Sequence, residues 1–285
     1  MKQFLFFICF LSQGLIAEAQ PCASIILPQL AENTRKDFEQ NLALAKNDYE
    51  KDTVNADAII WYGRRTAYLG DYMKAIDIFS RGINLHPGDA RLYRHRGHRF
   101  ITVRCFDKAI ADFKKAAVLV RGKPDEVEPD GLPNAKNIPT STLQSNIWYH
   151  LGLAYFIKGG YKKAVKAYEK GIAVSKNPDM YVAMVNWINL ALREQKKFQE
   201  AFSYYNRIEP GAELLESRDY KNLLEMYKHK LTEKEVELYA AGITGKDQAL
   251  ASATVYFGVG YYCLLIGHKQ KAVEFFEKAI GGGQW

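Results

Sequence analysis

The fold is decided by the stretch Trp148–Tyr168, which reads WYHLGLAYFIKGGYKKAVKAY. Trp148, Leu151 and Tyr155 recur at steps of three and four residues, so they share one face of a helix. A glycine pair, Gly159-Gly160, would end that helix. A second apolar stripe at helical spacing is formed by Tyr161, Ala164, Val165, Tyr168 and Ile172. The stretch therefore predicts two helices joined by a tight turn.

Gly152 lacks a side chain at the point where these two helices would cross, which lets their backbones approach closely. The spacing W-x2-L-G-x2-Y followed by A-x3-[FY] resembles the tetratricopeptide repeat. The resemblance implies an all-α, right-handed superhelical solenoid of antiparallel helix pairs. In that family the first helices line a concave groove that binds peptides or other proteins, and there is no common catalysis. We therefore expect a non-catalytic binding scaffold without a cofactor.

The pattern recurs along the chain, because a single helix pair cannot bury its apolar faces alone. Four positions repeat at an offset of 34 residues, in the pairs Gly63 and Gly97, Tyr72 and Phe106, Ala75 and Ala109, and Phe79 and Phe113. The predicted organisation is a signal peptide (1–19), a leader with a capping helix (20–55), repeats one and two (56–120), a proline-rich acidic insertion (121–144), repeats three and four (145–210), irregular helices (211–246) and a fifth repeat (247–285).

Two parts of this pattern are irregular. The fourth repeat has Asn189 where glycine is usual, and the predicted helices at Ala212–Tyr227 and Thr232–Ala241 fit the hairpin less well. After the fifth repeat the sequence shows no solvating cap helix. We expect either a truncated sequence or an end that meets another molecule.

The first residues indicate export. Lys2 precedes the apolar run Phe4–Leu11, and Ala17-Glu18-Ala19 supplies the small residues that a signal peptidase reads, so cleavage is expected after Ala19. The run is much shorter than the roughly 20 residues that span a bilayer, and no later segment is predicted to span one. The mature chain would keep three cysteines. Cys263 is predicted to be a buried, inert thiol, and Cys22 to be available for pairing with another chain.

Composition describes an ordinary globular protein, with 48% hydrophobic and 25% charged residues. The net charge of +7 favours anionic partners, although a solvated surface rich in lysine would give the same value.

In this repeat type the second, fifth, ninth and twelfth residues of each first helix face the groove. The candidate partner-binding residues are Arg64, Arg91, Arg94, His98, Tyr149, Leu153 and Phe156. The arginines would bind a carboxylate, a phosphate or an acidic peptide through charge-assisted hydrogen bonds, and the aromatic residues offer apolar anchoring. The alternative is that these arginines are solvated or pair with acids of the insertion.

The segment Arg91–Arg104 carries the most unusual charge pattern, because its helical part holds arginines and histidines without an acid. Arg96 stands where leucine is normal and needs a partner, for which Asp77 and Asp112 are the candidates. A polyanion or nucleic acid is one alternative partner for this helix. Another alternative is a metal-dependent enzyme with a site built from three histidines, namely His95, His98 and His150.

The insertion lengthens the spacing between successive repeat glycines from 34 to 55 residues. It contains four prolines and the acids Asp125, Glu126, Glu128 and Asp130. Its charge is opposite to that of the preceding arginine-rich helix. This suggests the hypothesis that the insertion folds over the basic groove and gates it.

Overall fold

The computed structural model describes residues 27–129, 134, 136–244 and 248–281. The signal peptide, Cys22 and residues 282–285 lie outside this part of the chain, as do Asp130 and Pro133 of the insertion. The described residues form helices α1 (Glu32–Lys51), α2 (Ala56–Tyr68), α3 (Tyr72–Leu85), α4 (Ala90–Thr102), α5 (Phe106–Leu119), α6 (Leu143–Ile157), α7 (Tyr161–Val174), α8 (Pro178–Glu194), α9 (Phe198–Tyr205), α10 (Arg218–Tyr227), α11 (Glu233–Gly242), α12 (Gln248–Leu265) and α13 (Lys269–Gly281).

These helices form a solenoid of antiparallel pairs, as predicted. The first helices are α2, α4, α6, α8 and α12, and the second helices are α3, α5, α7, α9 and α13. In the first three pairs, each second helix also packs on the next first helix, so neighbouring repeats share their core. Helix α1 covers the amino-terminal end, where the rings of Tyr49 and Tyr62 stack at 5.0 Å. No helix in the described ranges has both the length and the apolarity needed to cross a bilayer.

In each regular repeat, the two helices pack closely where a glycine of the first helix faces an aromatic ring of the second. A Cβ atom on Gly152 would lie 2.5 Å from the ring of Tyr168, and one on Gly63 would lie 2.5 Å from the ring of Phe79. Contacts this short are forbidden by sterics, so only glycine fits without a shift of the ring. The glycine spacing seen in the sequence therefore reflects close helix packing.

The fourth repeat departs from this rule at Asn189. Its buried side chain accepts a hydrogen bond from Arg193 Nε at 3.0 Å, and it takes the place of the missing glycine. Tyr205, which follows at the spacing of the facing ring, is instead half-buried beside Lys228. Helix α9 accordingly has 8 residues, against 14 in α7.

The segment after α9 differs from the predicted helix at Ala212–Tyr227, because α10 begins only at Arg218. The buried carboxylate of Asp179 accepts the backbone N–H groups of Leu215, Glu216 and Ser217 at 2.8–3.1 Å. These groups are therefore held in a turn and cannot continue a helix. Helix α10 packs on α8 and α12, with Leu223 against Gly258.

The insertion is anchored at both of its ends. Asp125 accepts hydrogen bonds from the Thr142 hydroxyl (2.6 Å) and the Gln144 backbone N–H (3.0 Å) at the start of α6. Thr142 forms a capping box with Ser145 at the start of this helix. Further along, the Thr140 hydroxyl donates to Glu216 at 2.7 Å. The insertion therefore connects the second and third repeats to the turn before α10.

The two described cysteines differ in oxidation state. Cys263 is a buried free thiol, as predicted, and burial raises its pKa to about 11. Cys105 is disulfide-bonded.

Candidate binding groove

Arg91 is tied to two carboxylates at the amino-terminal end of the groove. It donates hydrogen bonds to Asp57 at 2.6 Å and to Asp89 at 2.7 Å. Hydrogen bonding to Asp89, followed by its charge and that of Asp57, raises the Arg91 pKa. This predicted site residue therefore links the first two repeats, and its charge is already compensated.

Arg94 is deeper in the groove and is buried. Its Nε atom lies 3.1 Å from Glu128 Oε2, and its Nη1 atom lies 3.0 Å from His95 Nδ1. Glu128 belongs to the insertion, so the structure brings the acidic insertion into contact with a predicted groove arginine. The alternative that groove arginines pair with acids of the insertion is correct for Arg94.

Arg64, which faces the groove, and Arg99, which follows the groove-facing His98 on α4, have no carboxylate neighbour among the described residues. The Arg64 guanidinium stacks 4.3 Å from the centroid of the Trp61 ring, and that of Arg99 lies 5.8 Å from the Tyr72 ring. Among the residues that the structure describes, no carboxylate lies within 4 Å of either. Burial, and then the charges of Arg94 and Arg64, lower the Arg99 pKa to about 10. The two arginines therefore form a region of uncompensated positive charge.

Two of the three histidines of the proposed metal alternative, His98 and His150, have adjacent rings. The rings of His98 and His150 are 4.4 Å apart, and His150 Nδ1 donates to the backbone carbonyl of Asn146 at 2.7 Å. Burial, and then the charge of Arg94, lower the His150 pKa to about 3. Burial also places the pKa values of His95 and His98 well below 6.5. In the described ranges, no group of three histidine, cysteine or acidic side chains is placed to hold a metal ion.

Tyr149 and Phe156, the predicted apolar anchors, are occupied by the chain itself. The Tyr149 hydroxyl accepts a hydrogen bond from Trp187 Nε1 at 3.0 Å and lies 3.2 Å from the hydroxyl of Tyr220 on α10. Phe156 is 6% exposed and packs edge-on against Trp187 at 5.2 Å. Leu153 is half-buried against the same cluster. The carboxyl-terminal half of the groove is therefore largely filled.

Sequence reasoning missed the residues that fill this half, above all Trp187, Tyr220 and Tyr261. A signal for Tyr261 was present, because it directly follows the repeat glycine Gly260. That position also holds Arg64, His98 and Leu153 in their repeats. Nothing in the repeat pattern places Tyr220, because it lies on the irregular helix α10.

Arg96 pairs with Asp112, one of its two predicted partners. Its guanidinium makes a two-pronged contact with the buried carboxylate of Asp112, at 2.7 and 2.8 Å. Three arginines of α4 are thus already paired with carboxylates. This leaves less free charge on that helix for a polyanion than the sequence suggests.

Comparison with known proteins agrees with this architecture. The tetratricopeptide repeat family model matches residues 145–178 and 253–281. The small glutamine-rich tetratricopeptide repeat-containing protein 2 of Mycosarcoma maydis is 25% identical over 131 residues, which are 46% of this chain. The chain spans about a third of that relative, since the match covers 31% of its length.

Two solved structures are also similar. The structure of MamA aligns over 61% of this chain and 88% of its own, with 22% identity and a TM-score of 0.46. That of YrrB, described as a tetratricopeptide protein with an unusual peptide-binding site, aligns over 84% of this chain and 91% of its own. Its identity is 14% and its TM-score is 0.44.

Proposed function

The chain is a tetratricopeptide repeat protein, and from that premise we propose that its concave groove holds an acidic segment of a partner protein. Proteins of this family serve protein–protein interaction and are in general not catalysts. The acidic character of the partner, its position in the groove and the absence of catalysis are the specific parts of the proposal.

The observation that carries the proposal is the uncompensated charge of Arg64 and Arg99. In the part of the chain that the structure describes, each guanidinium has an aromatic neighbour but no carboxylate, whereas Arg91, Arg94 and Arg96 each have a carboxylate partner. The charge of Arg64 lowers the Arg99 pKa, so the two guanidinium groups repel each other, and a bound anion would relieve that repulsion. A carboxylate of the partner would supply charge-assisted, two-pronged hydrogen bonds. We therefore place the partner's acidic side chain between α2 and α4.

The test is the affinity of a fluorescein-labelled hexaglutamate peptide, with hexaglutamine as the neutral probe, measured by fluorescence anisotropy at fixed ionic strength. Arg64→Gln and Arg99→Gln should each weaken hexaglutamate binding about tenfold, because a hydrogen bond to a charged group contributes about 1.5–3 kcal/mol. Lys166→Gln is the matched control, since it removes one charge from an exposed position on the second helix α7.

Three results would contradict the proposal. The first is equal affinity for the two peptides, because the site would then not select acidic side chains. The second is an equal loss of affinity in Lys166→Gln, which would indicate general attraction to the net charge. The third is no binding of hexaglutamate by the wild type, which would leave the groove without an acidic ligand.

Export is a second element of the proposal. It is supported by the apolar leader with its Ala17-Glu18-Ala19 site and by the disulfide at Cys105, because disulfides persist in oxidising compartments. Non-reducing peptide mapping of protein purified from the source should find Gln20 as the first residue and Cys105 in a disulfide. An intact Met1, or a free Cys105 thiol in protein that was never reduced, would contradict export.

A further inference from the structure

The insertion places a carboxylate between two repeats at the groove. Glu128 Oε2 accepts a hydrogen bond from Asn146 Nδ2 at 2.7 Å and lies 3.1 Å from Arg94 Nε. Its Oε1 atom lies 3.2 Å from His95 Nε2. All four residues are less than one-tenth exposed. Arg94 and Asn146 occupy groove-facing positions of the repeat pattern, on the neighbouring first helices α4 and α6.

Three polar side chains surround this carboxylate. A guanidinium only donates hydrogen bonds, so the contact of Arg94 Nη1 with His95 Nδ1 makes that nitrogen an acceptor. The proton of the neutral His95 ring is therefore on Nε2, the atom that faces Glu128. The Asn146 amide thus hydrogen-bonds to one carboxylate oxygen, while Arg94 Nε and His95 Nε2 lie 3.1 and 3.2 Å from the carboxylate without hydrogen-bond geometry. The arrangement favours a carboxylate through the charge of Arg94 and one hydrogen bond from Asn146.

The residue that fills this position does not belong to the repeat scaffold. Glu128 lies in the insertion, between the exposed residues Val127 and Pro129. Its backbone N–H makes one long hydrogen bond, of 3.4 Å, to the Ser141 carbonyl. The backbone before Glu128 is held to the start of α6, since the Glu126 carbonyl accepts from the Leu143 N–H at 2.8 Å and Val127 forms an isolated antiparallel bridge with Thr142. The backbone thus brings Glu128 to the groove, and the contacts of its carboxylate hold the side chain there.

We propose that Arg94, His95 and Asn146 form a carboxylate-binding subsite, and that Glu128 fills it when no partner is bound. The inference rests on the proposed function, and it makes the class of partner more specific. The partner segment carries two carboxylates: one binds between Arg64 and Arg99, and the other displaces Glu128. Free protein then has lower affinity than a chain in which Glu128 has lost its charge.

The subsite can be tested without a partner by using acetate as the probe. In Glu128→Ala, acetate at 100 mM should refill the site and raise the melting temperature by about 2 °C or more relative to chloride at equal ionic strength. The wild type and the double variant Glu128→Ala/Arg94→Gln are the controls, and neither should respond to acetate specifically. The same shift in all three proteins overturns the subsite. If Glu128→Ala folds in neither salt, the peptide measurement below decides.

Competition is tested with the hexaglutamate peptide. Glu128→Gln keeps the shape of the side chain but removes its charge, and it should bind hexaglutamate about five- to tenfold more tightly than the wild type. Glu126→Gln, an exposed position in the same insertion, should change the affinity less than twofold. Equal affinities of Glu128→Gln and the wild type would overturn the competition. An acetate effect together with no hexaglutamate binding by any variant would keep the subsite but refute the proposed function.

Discussion

Acidification should destabilise this protein through His95, His98 and His150. His95, His98 and His150 all have pKa values below 6.5, because burial and the neighbouring arginines oppose their protonation. The unfolded chain takes up a proton on each histidine as the pH falls through 6.5, whereas the folded protein does not. The stability contribution is therefore fully present above pH 6.5 and is lost as the pH falls from there toward the folded-state pKa values.

The magnitude follows from the number of groups. For one histidine that stays neutral in the folded protein, the free energy of unfolding is about 1.4 kcal/mol lower at pH 5.5 than at pH 7.5 if the pKa in the unfolded chain is about 6.5. Three such groups give on the order of 4 kcal/mol, as an upper estimate. Carboxylates contribute little in this window, because most of them are ionised at both pH values.

The assay is urea unfolding followed by circular dichroism at pH 7.5, 6.5 and 5.5, at constant ionic strength. The midpoint should fall steadily below pH 6.5. In His98→Gln the loss between pH 7.5 and 5.5 should be about one-third smaller, since one of three titrating groups is absent. A midpoint that is equal at the three pH values would refute the reasoning, because the histidines would then protonate as readily in the folded protein as in the unfolded chain.

Three further predictions concern the scaffold. Gly152→Ala should destabilise the protein by about 1–3 kcal/mol in urea unfolding, because the added methyl group meets the facing tyrosine ring, whereas Gly88→Ala, which meets nothing within 4 Å, should have a much smaller effect. Arg96→Met should cost about 3 kcal/mol by leaving the Asp112 carboxylate buried without its partner, and adding Asp112→Leu should recover part of that loss; no recovery would contradict the pairing. Asp179→Ala should speed amide hydrogen exchange in the turn before α10 at least tenfold, and unchanged exchange would show that the turn holds without this carboxylate.

The repeat architecture is predictable from the sequence because it depends on local spacing. Gly152 and Gly63 mark the helix crossings, since no other residue fits against the facing ring. The pairing of Arg96 with Asp112 is predictable for a related reason. A charge at a core position requires a partner within reach, and the repeat pattern limits the number of candidates.

The contents of the groove depend on contacts between residues that are distant in the chain. Nothing near Glu128 in the sequence indicates that this one of the four insertion acids reaches Arg94. Trp187 and Tyr261 fill the groove only because the solenoid brings α8 and α12 close to Phe156. The delayed start of α10 depends on Asp179, which lies on α8 and more than 30 residues earlier in the chain. The secondary-structure propensity of a local stretch of sequence does not predict such long-range contacts.

The central claim is that an acidic segment lies in the amino-terminal half of the concave groove. Photo-crosslinking tests it most directly, with p-benzoylphenylalanine in place of Ile101 on α4 or, as the control, in place of Lys166 on α7. Labelled hexaglutamate should crosslink from position 101, and excess unlabelled peptide should abolish the product. Crosslinking from position 166 with equal or greater yield would place the peptide outside the groove and contradict the account.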